Sequence, residues 1–442
     1  MSKKFYFLTI FAALLAVVGS QAYQTVKAVP AEPEAVASTT LWENGKNLTA
    51  VNVPQSALQP AIAAAPDGKT VMVAFLNETS GGKTNPYYVQ SGDNGKSWSN
   101  PASIYTDNAT EARYINISFD ASANARAVWT EDNVQLWYGI RSPQSSTWSN
   151  VKSIYSITSS PGNLIESPQI VTNGGKLHVI WGQQELGSNI DDIYYMSSSD
   201  GGSSWTTAAP IANDNGALSI APSVAVTGNG ALHVVWEATI SSSPFQAEIF
   251  YTQSSNNGTS WTTPITISQK INPGTTRGFA QPKIITEGNN LYVTFENHPD
   301  PSQQKPYFVN CSSGCTNLNN WSGGEASPQV YSVHGSDPTF LKVQPVVISG
   351  CAMALFSGIT GGTTEKIWES NSCNNWSGAT SVSGVDAVLG SNFRAIKPSA
   401  TTHNNWWIYM AFERKDGASG RSDIYFVRNI PGLYLPVILR SP

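Results

Sequence analysis

Charge is scarce in this chain. Only 12% of its 442 residues are Asp, Glu, Lys or Arg, about half the roughly 25% of an average soluble domain. The formal net charge is −5 and no run of lysines or arginines occurs, so the electrostatic footprint of a nucleic-acid binder is missing. Histidine occurs five times and cysteine four, without the spacing of a zinc site. Neither a metal nor another cofactor is therefore expected. P-loop, Gly-x-Ser-x-Gly and dinucleotide fingerprints are absent as well. No helical period is sustained anywhere. Nor is any apolar run long enough to span a bilayer: the longest, Phe5 to Val18, falls short of the ~18 residues that a membrane helix needs.

That run has another reading. It follows Met1-Ser2-Lys3-Lys4 and ends in Gly19-Ser20-Gln21-Ala22, which is the order of a secretory signal peptide over residues 1–22. An uncleaved anchor is the alternative. Loss of Lys3 and Lys4 would leave the mature chain at −7, with no transmembrane span expected. No cysteine follows the run, so a lipid anchor is not expected. Export puts the protein outside the cell or on its surface, where its cysteines can pair. Residues 23–40 read as a linker.

What the chain has in place of charge is Ser, Thr, Asn and Gly, and a pattern. The stretch SGDNGKSW, with Ser91, Asp93, Gly95 and Trp98, returns as Ser198, Asp200, Gly202 and Trp205, and again as Ser254, Asn256, Gly258 and Trp261. Worn copies end in Trp148, Trp321 and Trp376, and the six tryptophans are 50, 57, 56, 60 and 55 residues apart. A metal loop has no reason to recur at that interval, whereas a supersecondary unit does. Between tryptophans each unit runs in one order, as in APSVAV, TGNG, ALHVVW, EIFYTQ, the polar turn and WTTPITIS. That is four short strands separated by turns. Four-stranded units of this length, repeated radially, are propeller blades.

First strands open at Pro60, Ile115, Pro168, Pro222, Pro282, Pro345 and Pro398, which gives seven blades, with six as the alternative. The seventh unit meets Pro431 where its tryptophan belongs, and Trp42 stands 56 residues before Trp98. The N-terminal strand is therefore expected to complete the last blade and remove the open edges of the ring.

The Ser-x-Asp-x-Gly-x-Ser-Trp turns resemble the Asp-box, or BNR repeat, and over residues 41–430 the chain resembles the sialidase-like β-propeller superfamily. The resemblance implies an all-β fold of four-stranded antiparallel blades, with these turns on the face opposite the binding site. The residue types agree with a turn clamp, because a short Asp accepts local N–H groups, Gly permits a left-handed backbone and Trp packs. His178 and His233 recur in LHV and read as packing.

A site would lie where first strands enter and second strands leave. Glu131, Glu185, Glu237, Glu296 and Glu413 stand at the exits, with Arg113, Glu166, Arg277, Arg394 and Lys397 near the entries. Arginines from three blades could converge on one carboxylate, as the guanidinium fork suits. Repeated glutamates could instead bond neighbouring blades. The superfamily's sialidases use an arginine triad, a Tyr nucleophile backed by Glu, and an Asp acid. Their Phe/Tyr-Arg-Ile-Pro motif is absent at the Pro60 strand. Phe393-Arg394-Ala395-Ile396-Lys397-Pro398, Arg113-Tyr114 and Asp132 are loose counterparts only.

The bottom-face turns of the fifth and sixth units hold Cys311, Cys315 and Cys373, and Cys351 lies beside the last. Cys311–Cys315 and Cys351–Cys373 are the expected bridges, with a four-cysteine metal site as the alternative. Three functions remain open: non-catalytic binding of a glycan or other cell-surface polymer, an exo-acting glycosidase of the sialidase type, and a structural surface protein. A monomer is expected. Residues 431–442, GLYLPVILRSP after Pro431, resemble Leu-Pro tails of secreted bacterial proteins and serve attachment or form a last strand.

Overall fold

The computed structural model describes residues 40–431 apart from 51–52, 54, 186–189, 212–217, 243–244, 272–277, 301–302, 327–340 and 359–363. The expected leader, most of the linker and residues 432–442 lie outside these. Among the described residues no helix is long and apolar enough to cross a membrane, and no acidic, His or Cys group could hold a metal.

The described residues form seven four-stranded antiparallel sheets. Blades 1 to 6 span residues 57–103, 112–156, 164–210, 219–266, 279–325 and 344–381 in unbroken chain order. Blade 7 takes three strands from 393–428 and its outermost strand, Lys46–Asn47, from the other end of the chain. The first strands of successive blades touch all the way round, and that of blade 7 returns to blade 1. They form the wall of the central channel.

Second strands are buried along nearly their whole length, as in LHVVWEA of blade 4, because each sheet is covered on both faces by its neighbours. Their midpoints carry Phe75, Trp129, Trp181, Trp236, Phe295, Phe356 and Phe412, all fully buried. His178 and His233 stack on Tyr195 and Tyr251, and each Nδ1 is 2.8 Å from the phenol oxygen. Burial lowers both imidazoles to about 4. Unfolded histidine protonates near 6.5. The stability these rings contribute is therefore full above pH 6.5 and lost as pH falls through about 4, roughly 3 kcal/mol apiece. Glu369, raised to about 7 by burial, acts in the opposite sense and softens the net slope. We expect the two imidazole NMR signals to stay at neutral-form shifts from pH 8 to 5. A midpoint near 6.5 in the folded protein would contradict the burial account.

The repeated turns are clamps joining blades. Asp93 accepts the Ser91 hydroxyl, the Ser97 amide and the Ser97 hydroxyl at 2.8, 2.8 and 2.6 Å, and the Ser97 bonds hold its carboxyl down at about 2. Asp200 repeats this with Ser198 and Ser204. Asn256 keeps the same turn, donating from Nδ2 to Ser260 where the carboxylates accept. Each tryptophan then packs on an aromatic ring of the preceding blade: Trp98 on Phe426, Trp148 on Tyr88, Trp205 on Tyr138, Trp261 on Tyr195, Trp321 on Tyr251 and Trp376 on Phe308. The interval of the repeat is thus the interval of the seams. Blades 5 and 6 lack the acidic clamp and carry the bridges Cys311–Cys315 and Cys351–Cys373 in its place.

Candidate functional site

One backbone feature recurs in every blade. Near the start of the first strand a non-glycine residue takes the left-handed conformation: Gln59, Tyr114, Ser167, Ala221, Gln281, Lys342 and Lys397, all with φ between 48° and 54°. In six blades the residue sits in a register shift against the second strand, a bulge that bends the strand at the channel mouth. Such a conformation costs about 1–2 kcal/mol per residue. It persists only where the surroundings over-determine it, and such strain clusters at functional sites. Five of the seven precede a proline.

Carboxylates fix most of these bulges from the preceding blade. Glu413 accepts the Gln59 amide at 2.7 Å, Glu166 that of Ala221 at 3.2 Å and Glu237 that of Gln281 at 3.1 Å. Glu296 accepts the Leu341 amide. Between blades 1 and 2 the Gln59 side chain does the same for Tyr114 at 3.2 Å. Glu237, Glu296 and Glu413 follow the buried aromatic of their second strands. Blade 3 has Gly182 there, and the Glu166 side chain from the first strand lies over it, 3.2 Å from where a Cβ would be. A carboxylate reaches the seam in each case, by two routes.

These residues meet in one charged ring. Lys397 pairs with Glu413 at 2.9 Å, and Lys342 donates to Gln281. Burial lowers Lys342 against the fields of Glu296, Glu237 and Glu166 and raises Glu166. Tyr114 is raised first by burial and then by the Glu166 charge. The mouth therefore presents two amides, a phenol, a hydroxyl and two amines, all half-buried.

The other expected residues that the structure describes have partners of their own. Glu131 is buried in blade 2, accepts the Trp129 indole N–H at 2.7 Å and is raised by burial. Asp132 accepts the Glu111 amide. Arg113 pairs with Glu111 at 3.0 Å and Arg394 with Glu365 at 2.6 Å, so each guanidinium is held by an acid of its own surroundings. Arg277 lies outside the described residues. Sequence reasoning missed Gln59, Ser167, Gln281 and Lys342 as mouth residues. Their shared signal is position: each stands just before the residue that opens a first strand. Blade 6 hides the signal, because its left-handed residue precedes Val343 and not the Pro345 that the sequence offers.

No protein-family model matches the sequence, and no curated protein does. Among solved structures, a protein of unknown function from Dyadobacter fermentans aligns at 13% identity over 88% of this chain and 98% of its own, with a TM-score of 0.53. The phage phi92 endosialidase aligns at 13% over 91% of this chain and 71% of its own, with a TM-score of 0.50. An α-L-arabinanase from Penicillium chrysogenum aligns at 13% over 79% and 100%, with a TM-score of 0.49. At such identities the likeness is one of fold, and the fold is that of a sialidase-like β-propeller.

Proposed function

We propose that the protein is an exported, non-catalytic glycan-binding propeller that holds a sugar of a cell-surface polymer at its channel mouth. The observation that carries this is the ring of Gln59, Tyr114, Ser167, Gln281, Lys342 and Lys397, which offers donors, acceptors and one aromatic ring from six blades at one opening. Convergent polar groups around an aromatic suit a sugar. Most glycoside hydrolases use two carboxyl groups facing the bond to be cut, and sialidases a tyrosine with its supporting acid; here Glu166, Glu237, Glu296 and Glu413 already hold backbone amides. Two disulfides agree with export, and Arg113 supplies a charge on the rim.

A sialidase-type enzyme is the second reading, favoured by the nearness of an acid to a phenol: the Glu166 charge raises Tyr114 after burial does. A glycan array run beside a fluorogenic sialoside assay separates the two. The binding account expects array signal that falls at least tenfold in Tyr114→Ala, with no turnover. Turnover abolished in Tyr114→Phe, or lost on substitution of Arg113 or Arg394, would overturn it. Neither binding nor turnover would leave a structural surface protein.

A further inference from the structure

Below the mouth a second set of bonds joins the first strands. At three seams the polar side chain one place after the strand-opening residue accepts an amide of the next blade. Asn116 accepts from Ile170 at 3.1 Å, Ser223 from Ile284 at 3.2 Å and Ser399 from Ile62 at 3.2 Å. Between blades 5 and 6 the pattern breaks on both sides at once. The residue in the donor position is Pro345, which has no N–H, and the residue in the acceptor position is Lys283, which cannot accept.

The consequence is an amine with no protein partner. Lys283 is half-buried and makes no hydrogen bond or ion pair. Side chains two apart on a strand share a face, and Ile285 packs against the core cluster that holds Val343 and Val347 of blade 6, so Lys283 points to the same seam. A cavity of about 450 Å³ opens along this face, between the first strands of blades 5, 6 and 7. Its wall is Ile285, Pro345 and Val347, and its far end carries Glu287, Thr401 and Asn405. Lys283 stands one pleat above Ile285, about 7 Å along the strand, within reach of a lysine side chain.

We propose that the seam between blades 5 and 6 is a binding site for a small carboxylate-bearing sugar, with the Lys283 amine on the acid group and the body of the sugar in the cavity below. A half-buried cation without a protein partner suits an anion. The acid at the far end, Glu287, disfavours a second negative group there, while it and the hydroxyl and amide beside it suit sugar hydroxyls. The apolar wall suits the C–H face of a pyranose. Burial and the neighbouring Lys342 charge lower Lys283 to about 8, which leaves about nine-tenths of the amine protonated at pH 7. This site is separate from the mouth ring and does not depend on the reading given to that ring.

The test is calorimetric titration of the exported chain with glucuronate, glucose and acetate at pH 7. Glucuronate is expected to bind at least tenfold more tightly than glucose, and at least tenfold more tightly than acetate. Lys283→Met, which keeps the length of the side chain, is expected to remove that preference. Tyr114→Ala is expected to leave it in place, so that failure here is distinct from failure at the mouth. In the wild type, peptide mapping after amine acylation is expected to show Lys283 modified without ligand and protected by glucuronate, a readout that needs no variant to fold. Equal affinity for glucose and glucuronate, unchanged binding in Lys283→Met, or acylation of Lys283 unaffected by glucuronate would each overturn the proposal. Binding of acetate as tight as glucuronate would overturn the sugar part and leave a bare anion site.

Discussion

Deletion of residues 40–50 is expected to abolish recovery of folded protein. The segment closes the ring: Lys46 and Asn47 pair with Phe426 and Tyr425, and Trp42 bridges to Asn429. Trp42 also donates its indole N–H to Glu369 of blade 6 at 2.8 Å, and Glu43 pairs with Arg428. Trp42 and Leu48 are each 6% exposed. Losing a buried tryptophan and leucine removes about 5 kcal/mol of apolar burial, a large part of the 5–15 kcal/mol that holds a typical domain. It also bares the outer edge of blade 7 and strands Glu369 without its indole. Exposed strand edges invite pairing between copies, so aggregation should accompany the loss. Size-exclusion chromatography and thermal melting check this, and a monomeric deletion variant with unchanged melting would contradict ring closure by this strand.

Gly202→Ala is expected to cost a large part of the protein's stability. Gly202 has φ +94°, and a Cβ there would lie 2.4 Å from the Tyr138 ring of the preceding blade. Gly258 stands in the same relation to Tyr195, and Gly95 to Phe426. A left-handed alanine costs about 1–2 kcal/mol, and overpacking a tight contact adds about 1–3. Tyr138 cannot swing away freely, because its phenol also bonds Arg126 and the Gly201 carbonyl. A loss of about 3–4 kcal/mol should appear in denaturant unfolding, with glycan binding by the residual folded fraction unchanged. A variant as stable as the wild type would show that the seam tolerates a methyl and that glycine there serves the turn alone.

Much of the architecture was legible because the seam is written in the sequence. Trp98, Trp205 and Trp261 recur since each must meet a ring on the blade before it, and Trp42 keeps the interval while bonding Glu369 of the blade before it. Cys311–Cys315 and Cys351–Cys373 could be placed once blade order was known. The mouth was less legible. Glu166, Glu237, Glu296 and Glu413 were visible as a set, but a repeated acid reads alike whether it meets a ligand or a neighbouring amide. Only coordinates reveal the Gln59, Ala221, Gln281 and Leu341 amides that they accept. Gln59, Ser167, Gln281 and Lys342 escaped notice because a left-handed backbone leaves no mark in a non-glycine residue. Pro345 misled the alignment of blade 6, and its shift by two places leaves Lys283 without a partner.

The central claim is that the mouth glutamates join blades and do no chemistry. Thermal melting of Glu237→Ala measured together with its glycan affinity tests it most directly. Loss of this acceptor strands the Gln281 amide, worth about 1–3 kcal/mol. The account predicts a melting point lower by a few degrees and an affinity for the array-selected glycan within about threefold of wild type, roughly 0.7 kcal/mol. An unchanged melting point with glycan binding lost, or with a glycosidase activity abolished, would contradict it.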